Sequence, residues 1–166
     1  MSGMIDSALF RARALLKQGD DEAAKRAYLD VLRIDPVHCG ALTEFGALAH
    51  ASGHLSAARE AYRQAVRFHP GNSVAHVGYA YLLSEAGDAV EARSHYQAAL
   101  ATDPDLPEAH QGLARVLTDL GENADEHWRK GFNGRAVVWR RYRGTGSGIP
   151  LQLLVAAVGG NIPTQH

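Results

Sequence analysis

Apolar residues between positions 1 and 132 recur at three- and four-residue spacing, the pattern of helices with one buried stripe. No run alternates with period two until the last part of the chain. Glycines interrupt this helical pattern at Gly19, Gly53, Gly87 and Gly121, an interval of 34 residues. The same interval separates Ala24, Ala58 and Ala92; Tyr28, Tyr62 and Tyr96; and the corners Asp35-Pro36, His69-Pro70 and Asp103-Pro104. Such self-similarity marks a repeat architecture, and apolar spacing on both sides of each glycine makes every unit a pair of helices.

Each recurring position has a physical role. A glycine where the first helix must end and turn supplies a left-handed C-cap at no steric cost. The acids behind these glycines, Asp20, Asp21, Asp88 and Glu122, suit the start of a following helix. Ala24, Ala58 and Ala92 let a neighbouring helix approach closely. The tyrosines four residues later fill the adjacent space, with a hydroxyl that reaches solvent or a backbone group. Proline at each corner prevents continuation and sets the entry to the next unit.

These residues resemble the tetratricopeptide repeat, a 34-residue helix-turn-helix unit with a small residue, a glycine, an alanine, an aromatic and a proline in this order. The resemblance covers units 5–38, 39–72 and 73–106 and a partial unit 107–132. It implies an all-α superhelical solenoid over residues 1–132. In the large-residue slot of the first helix stand Arg11, Phe45, Tyr79 and Leu113, each followed by a small residue, Ala12, Gly46, Ala80 and Ala114. Arg11 departs from the pattern, as a terminal unit without an outer neighbour permits. The fourth unit departs further: only Ala124 and Trp128 can stand for its alanine-aromatic pair, which requires a shortened turn and a short capping helix within 123–132.

What the resemblance implies for function is a groove lined by the first helices, a surface for an extended peptide or a partner helix. Carried onto this sequence, the lining is Leu9, Arg13, Leu16 and Lys17; Thr43, Ala47, His50 and Ala51; Val77, Tyr81, Ser84 and Glu85; and Gln111, Arg115, Thr118 and Asp119. The Lys and Asn set with which chaperone-binding members hold a C-terminal carboxylate does not occur at the corresponding places. Tyr81 and Leu9 as apolar contacts, with Arg13, Lys17 and Arg115 as isolated cations, suit a peptide that alternates apolar and acidic side chains.

Composition supports a soluble globular protein: 46% of residues are apolar and 21% charged. No signal-peptide core or membrane-length apolar run occurs, and a single Cys39 excludes an internal disulfide, so a cytoplasmic location is expected. His50 and His54 have the i, i+4 spacing of a metal pair, but Gly53 between them ends the helix and no further ligand follows, so no metal and no cofactor is expected. His76 and His110, one interval apart, are read as packing residues with a hydrogen-bonded polar edge. Cys39 at a helix start is read as structural. No nucleophile elbow, phosphate loop or paired-carboxylate motif occurs, and the chain is read as non-catalytic.

The net charge of −1 hides an asymmetry. Residues 1–127 hold 11 basic and 18 acidic side chains, a net −7, whereas Arg129, Lys130, Arg135, Arg140, Arg141 and Arg143 follow without an acid. Residues 133–166 form a second region, a basic, glycine-rich linker and an apolar tail. Val137-Val138-Trp139 reads as one short strand and Leu151 to Val158 as another, with Leu151, Leu153, Leu154 and Val155 as its apolar face. A lone apolar strand is unstable, so three outcomes stay open: disorder, a hairpin with the Val137 strand, or pairing across molecules into a homo-oligomer. The stretch YRGTGSGIPLQLLVAAVGGNIPT is similar to the opening of the ATP-grasp-like domain that follows repeat arrays in some longer bacterial proteins. The basic run with Trp139 and Tyr142 offers contacts to nucleic acid, but a linker or docking against the acidic array is the favoured role. The leading expectation is a protein-interaction module. The alternative is the regulatory or recruiting front end of a larger ATP-grasp-like enzyme.

Overall fold

The computed structural model describes residues 2–132 and two short strands at 137–138 and 154–155. Eight helices follow in order: α1 (Ser2–Lys17), α2 (Asp21–Ile34), α3 (Cys39–Ala51), α4 (Leu55–Phe68), α5 (Ser73–Glu85), α6 (Ala89–Thr102), α7 (Pro107–Asp119) and α8 (Asp125–Gly131). Strands β1 (Val137–Val138) and β2 (Leu154–Val155) pair antiparallel, Val137 with Val155 and Val138 with Leu154. Of the three outcomes open for the tail, this is pairing within the chain. Of the two expected strands, Trp139, residues 151–153, Leu151 and Leu153 among them, and residues 156–158 lie outside the described residues. Among the described residues no helix is long and apolar enough to cross a membrane.

The glycine interval is a repeated helix stop. Gly19, Gly53, Gly87 and Gly121 have φ of 78°, 76°, 88° and 74°. After each, the next residue's amide returns to a carbonyl five positions back: Asp20 to Leu15, His54 to Ala49, Asp88 to Leu83 and Glu122 to Leu117, at 2.8–3.0 Å. This is the six-to-one bond of a left-handed C-cap, and it satisfies carbonyls the helix would leave orphaned. Starts are capped as well. Asp20, His38 and Asn72 accept from the backbone amides of Ala23, Ala41 and Ala75 at 2.8–3.1 Å. Pro107 opens α7, where its missing N–H costs nothing.

Helices pack in consecutive pairs, and the first helices α3, α5 and α7 also lie side by side. The recurring alanines Ala24, Ala58 and Ala92 are fully buried and let the paired helices close. The main core runs from Ala49 to Ala124 through Leu83, Tyr96 and Leu113, and a second surrounds Tyr28 and Val31. Tyr28, Tyr96 and Leu83 are at most 1% exposed, and burying side chains of this size stabilises the fold by about 1.5–3 kcal/mol each.

Candidate partner-binding groove

The three recurrent tyrosines come from second helices and thread between neighbouring first helices. Between α1 and α3, Tyr28 donates its hydroxyl to Glu44 at 2.8 Å. The same carboxylate takes a forked ion pair from Arg13, whose Nε stands 2.9 Å from Oε2. Burial pushes the Glu44 carboxyl up, but hydrogen bonds from Arg13 and Tyr28 outweigh it and hold the group below the usual carboxylate range. Burial, and then the bond to Glu44, raise the Tyr28 phenol.

One interval on, Glu44 is replaced by Gly78, and two intervals on by Gly112. A Cβ at Gly78 would stand 2.4 Å from the Tyr62 ring, and one at Gly112 2.2 Å from the Tyr96 ring. Each tyrosine therefore leans directly onto the helix backbone. Burial pushes both phenols up to about 12, with Arg115 opposing the rise at Tyr96.

Between α3, α5, α7 and α8, on the face of the first helices, lies a cavity of about 510 Å³. Tyr62, Tyr96, Gly78 and Gly112 form part of its lining. His50 also reaches it, bound to Glu85 at 2.8 Å and edge-on to Tyr81. The Arg115 guanidinium lies over the Tyr81 ring, 5.0 Å from its centre, and donates to Ser84 at 3.2 Å. Trp128 and Phe132, with nearly parallel rings, close the C-terminal side. Gln111 ties α7 to the end of α8 by donating to the Gly131 carbonyl at 2.7 Å, and Glu108 adds an acid to the lining.

Of the residues expected to line a groove, His50, Val77, Tyr81, Gln111 and Arg115 meet at this cavity. Ser84 supports Arg115, and Thr118 accepts from the Trp128 indole at 3.4 Å while donating to the Ala114 carbonyl. Ala47 and Lys17 are exposed on their helices. Leu9 is buried in the N-terminal core, and Thr43 is buried with its hydroxyl turned to the Cys39 carbonyl at 2.7 Å. Arg13 and Arg115 are not the isolated cations expected of them, since Glu44 holds the first and Tyr81 with Ser84 the second. Sequence reasoning missed the glycines, Trp128 and Phe132. Aligning the units at Glu44, Gly78 and Gly112 carries the signal for the glycines.

Two other histidine features bear on site chemistry. His54 is exposed at the start of α4, while His50 turns to Glu85. Among the described residues no three His, Cys, Asp or Glu side chains gather as a metal site would need. His76 and His110 are buried, each bonding through Nε2 to a proline carbonyl, Pro70 at 3.0 Å and Pro104 at 2.8 Å. Each meets a second ring through Nδ1: His95 at 2.9 Å and His127 at 3.0 Å. Burial, then the partner ring, lower the His95 and His127 pKa below the ordinary value.

Known proteins show the same architecture. A crystal structure of MamA superposes with a TM-score of 0.68 at 23% identity, over 75% of this chain and 74% of that one. A tetratricopeptide repeat protein from Parabacteroides merdae matches with a TM-score of 0.68 at 21% identity, over 78% of this chain and 52% of that one. An O-GlcNAc transferase of Thermobaculum terrenum matches with a TM-score of 0.65 at 30% identity, over 70% of this chain but only 22% of the enzyme. Comparison with curated proteins finds no match. Sequence models described as tetratricopeptide repeat match residues 5–38, 49–94 and 83–125, together more than half of the chain. With the repeat positions, the helix stops and the superposed folds in agreement, the chain belongs to the tetratricopeptide repeat family.

Proposed function

We propose that this protein is a scaffold or adaptor that holds a peptide or helix of a protein partner on the face of its first helices, centred between α3, α5, α7 and α8. The observation that carries this reading is the cavity itself: the rings of Tyr62, Tyr81, Tyr96, Trp128 and Phe132 and one arginine converge on a preformed concavity. Rigid aromatics offer a large contact area at low entropic cost, and Tyr, Trp and Arg are the residues that most often anchor interfaces. Selection of displayed peptides against the full chain, repeated with Tyr81→Ala, tests it. Enriched peptides should lose most of their affinity for the variant, and enrichment indifferent to Tyr81 would place the binding face elsewhere.

Two further readings each rest on one observation. The match to part of an O-GlcNAc transferase supports an array of this kind as the recruiting portion of a larger enzyme. Among the described residues β1 and β2 pair only with each other, and a ribbon of two residues a side is too small to be stable alone, which supports association of the tail with a second copy. Light scattering on the full chain beside a chain ending at Gly134 tests the latter. An oligomer that becomes a monomer on truncation supports it, and two monomers reject it.

A further inference from the structure

The repeat symmetry provides an internal reference for what the groove recognises. At the junction of α1 and α3, the hydroxyl that emerges between first helices is met by a carboxylate carried in the chain, Glu44, with Arg13 as the countercharge. Tyr28, Tyr62 and Tyr96 occupy equivalent places, but at the two later junctions the acid is replaced by glycine. No described side chain hydrogen-bonds the Tyr62 hydroxyl, and both phenols line the cavity. At the last junction Tyr81 occupies the place of Arg13, and a guanidinium arrives from the opposite helix: Arg115 of α7 interacts with the Tyr96 hydroxyl while held over the Tyr81 ring. With one N–H donor on Ser84 and another turned to the Tyr96 hydroxyl, the guanidinium keeps further donors for an acid placed in the cavity.

We propose that the cavity seats a carboxylate side chain of the bound segment between the Tyr96 hydroxyl and the Arg115 guanidinium, supplying from outside what Glu44 supplies at the first junction. The inference rests on reading this face as the partner-binding groove and names the chemistry of its occupant. Val77, Tyr81, Trp128 and Phe132 surround the seat with apolar surface, so the segment carries its acid flanked by aromatic or large aliphatic side chains. Of the two acids nearest the seat, Glu85 is engaged by His50, which lowers its competition for Arg115. Glu108, the other, disfavours a second acid beside the first and so favours a single acidic position rather than an acidic run.

The test uses two probes, the acetylated and amidated tripeptides Phe-Glu-Phe and Phe-Gln-Phe, titrated into the full chain. Nitrogen-proton correlation spectra follow the Gly112 amide, the Arg115 Nε–H and the Trp128 indole N–H. The glutamate probe should shift these signals and bind roughly tenfold more tightly than its isosteric amide. That preference should collapse in Arg115→Gln and shrink in Tyr96→Phe, and the same spectra establish that each variant is folded. Equal affinity for the two probes overturns the carboxylate seat while leaving the groove reading intact. A glutamate preference that survives both substitutions places the acid elsewhere, and shifts from neither probe overturn the seat. The groove reading itself stands or falls on the peptide selection with Tyr81→Ala.

Discussion

The two half-buried histidine pairs make stability depend on pH in a defined window. The proline carbonyls can only accept, so His76 and His110 carry their protons on Nε2, and their bare Nδ1 atoms accept from the Nδ1–H of His95 and His127. A first added proton can be shared across the contact. A second would set two N–H bonds against each other at about 3 Å, which the fold resists. Around His95 stand Tyr79 and Glu91, and around His127 stand Glu126 and Lys130; these change the balance less than burial does.

The folded pKa values of His95 and His127 lie below the unfolded value near 6.5, so below that pH the unfolded chain binds more protons. Stability is therefore complete above about pH 6.5 and is lost as pH falls through the folded values. Each excess proton bound by the unfolded chain costs at most about 1.4 kcal/mol of stability per pH unit below about pH 6.5. For a chain of this length each kcal/mol lost lowers the melting temperature by about 2–4 °C. Thermal unfolding followed by circular dichroism between about pH 7.5 and about 5.5 reads it, above the range in which carboxylates titrate. The comparison is His95→Asn with His127→Asn, in which the amide nitrogen replaces Nδ1 as donor and cannot titrate. The double variant should lose most of the pH dependence. A native chain whose melting temperature is flat over this window, or a double variant that falls just as steeply, refutes the reasoning.

Other substitutions separate packing from recognition. Leu83→Ala, at a site 1% exposed in the main core, should lower unfolding free energy by about 2–5 kcal/mol in urea titration. Gly87→Ala forces a side chain into φ of 88° and should cost about 1 kcal/mol or slightly more, with the unfolding slope unchanged. Tyr28→Phe removes a hydrogen bond to a charged acceptor and should cost about 1–2 kcal/mol by the same assay, while peptide binding near Arg115 is unaffected.

The sequence makes the architecture legible because one interval repeats the same physical solutions. A glycine stops each first helix, an alanine admits the neighbour, a tyrosine fills the gap, and each is recognisable from residue type and spacing alone. That logic weakens in the fourth unit, where the second helix is shortened and its residues fall 32 rather than 34 positions after their counterparts. His95 and His127 are related in this way, and so are Tyr96 and Trp128. A fixed interval therefore finds His76 and His110 but not the rings they bond. Pairings such as Arg13 with Glu44, or Gln111 with Gly131, depend on how units stack in space, and nothing local in either residue announces the partner.

The same interval that defines the fold also makes its exceptions informative. Arginine, alanine, tyrosine and arginine follow one another at positions 13, 47, 81 and 115, and glutamate, glycine and glycine at 44, 78 and 112. Had each unit kept Glu44, every tyrosine hydroxyl would have an acid from its own chain, and a Cβ would stand where the Tyr62 and Tyr96 rings now touch backbone. The N-terminal junction is closed by its own ion pair, and the C-terminal junctions are left open beside an arginine held ready by Tyr81 and Ser84. Stability needs the positions that repeat, and binding needs a place where the chain does not satisfy itself. In this array those places coincide with the two glycines, so Gly112→Ala, whose Cβ would collide with the Tyr96 ring, should displace that ring and weaken the binding of any acidic ligand in the groove.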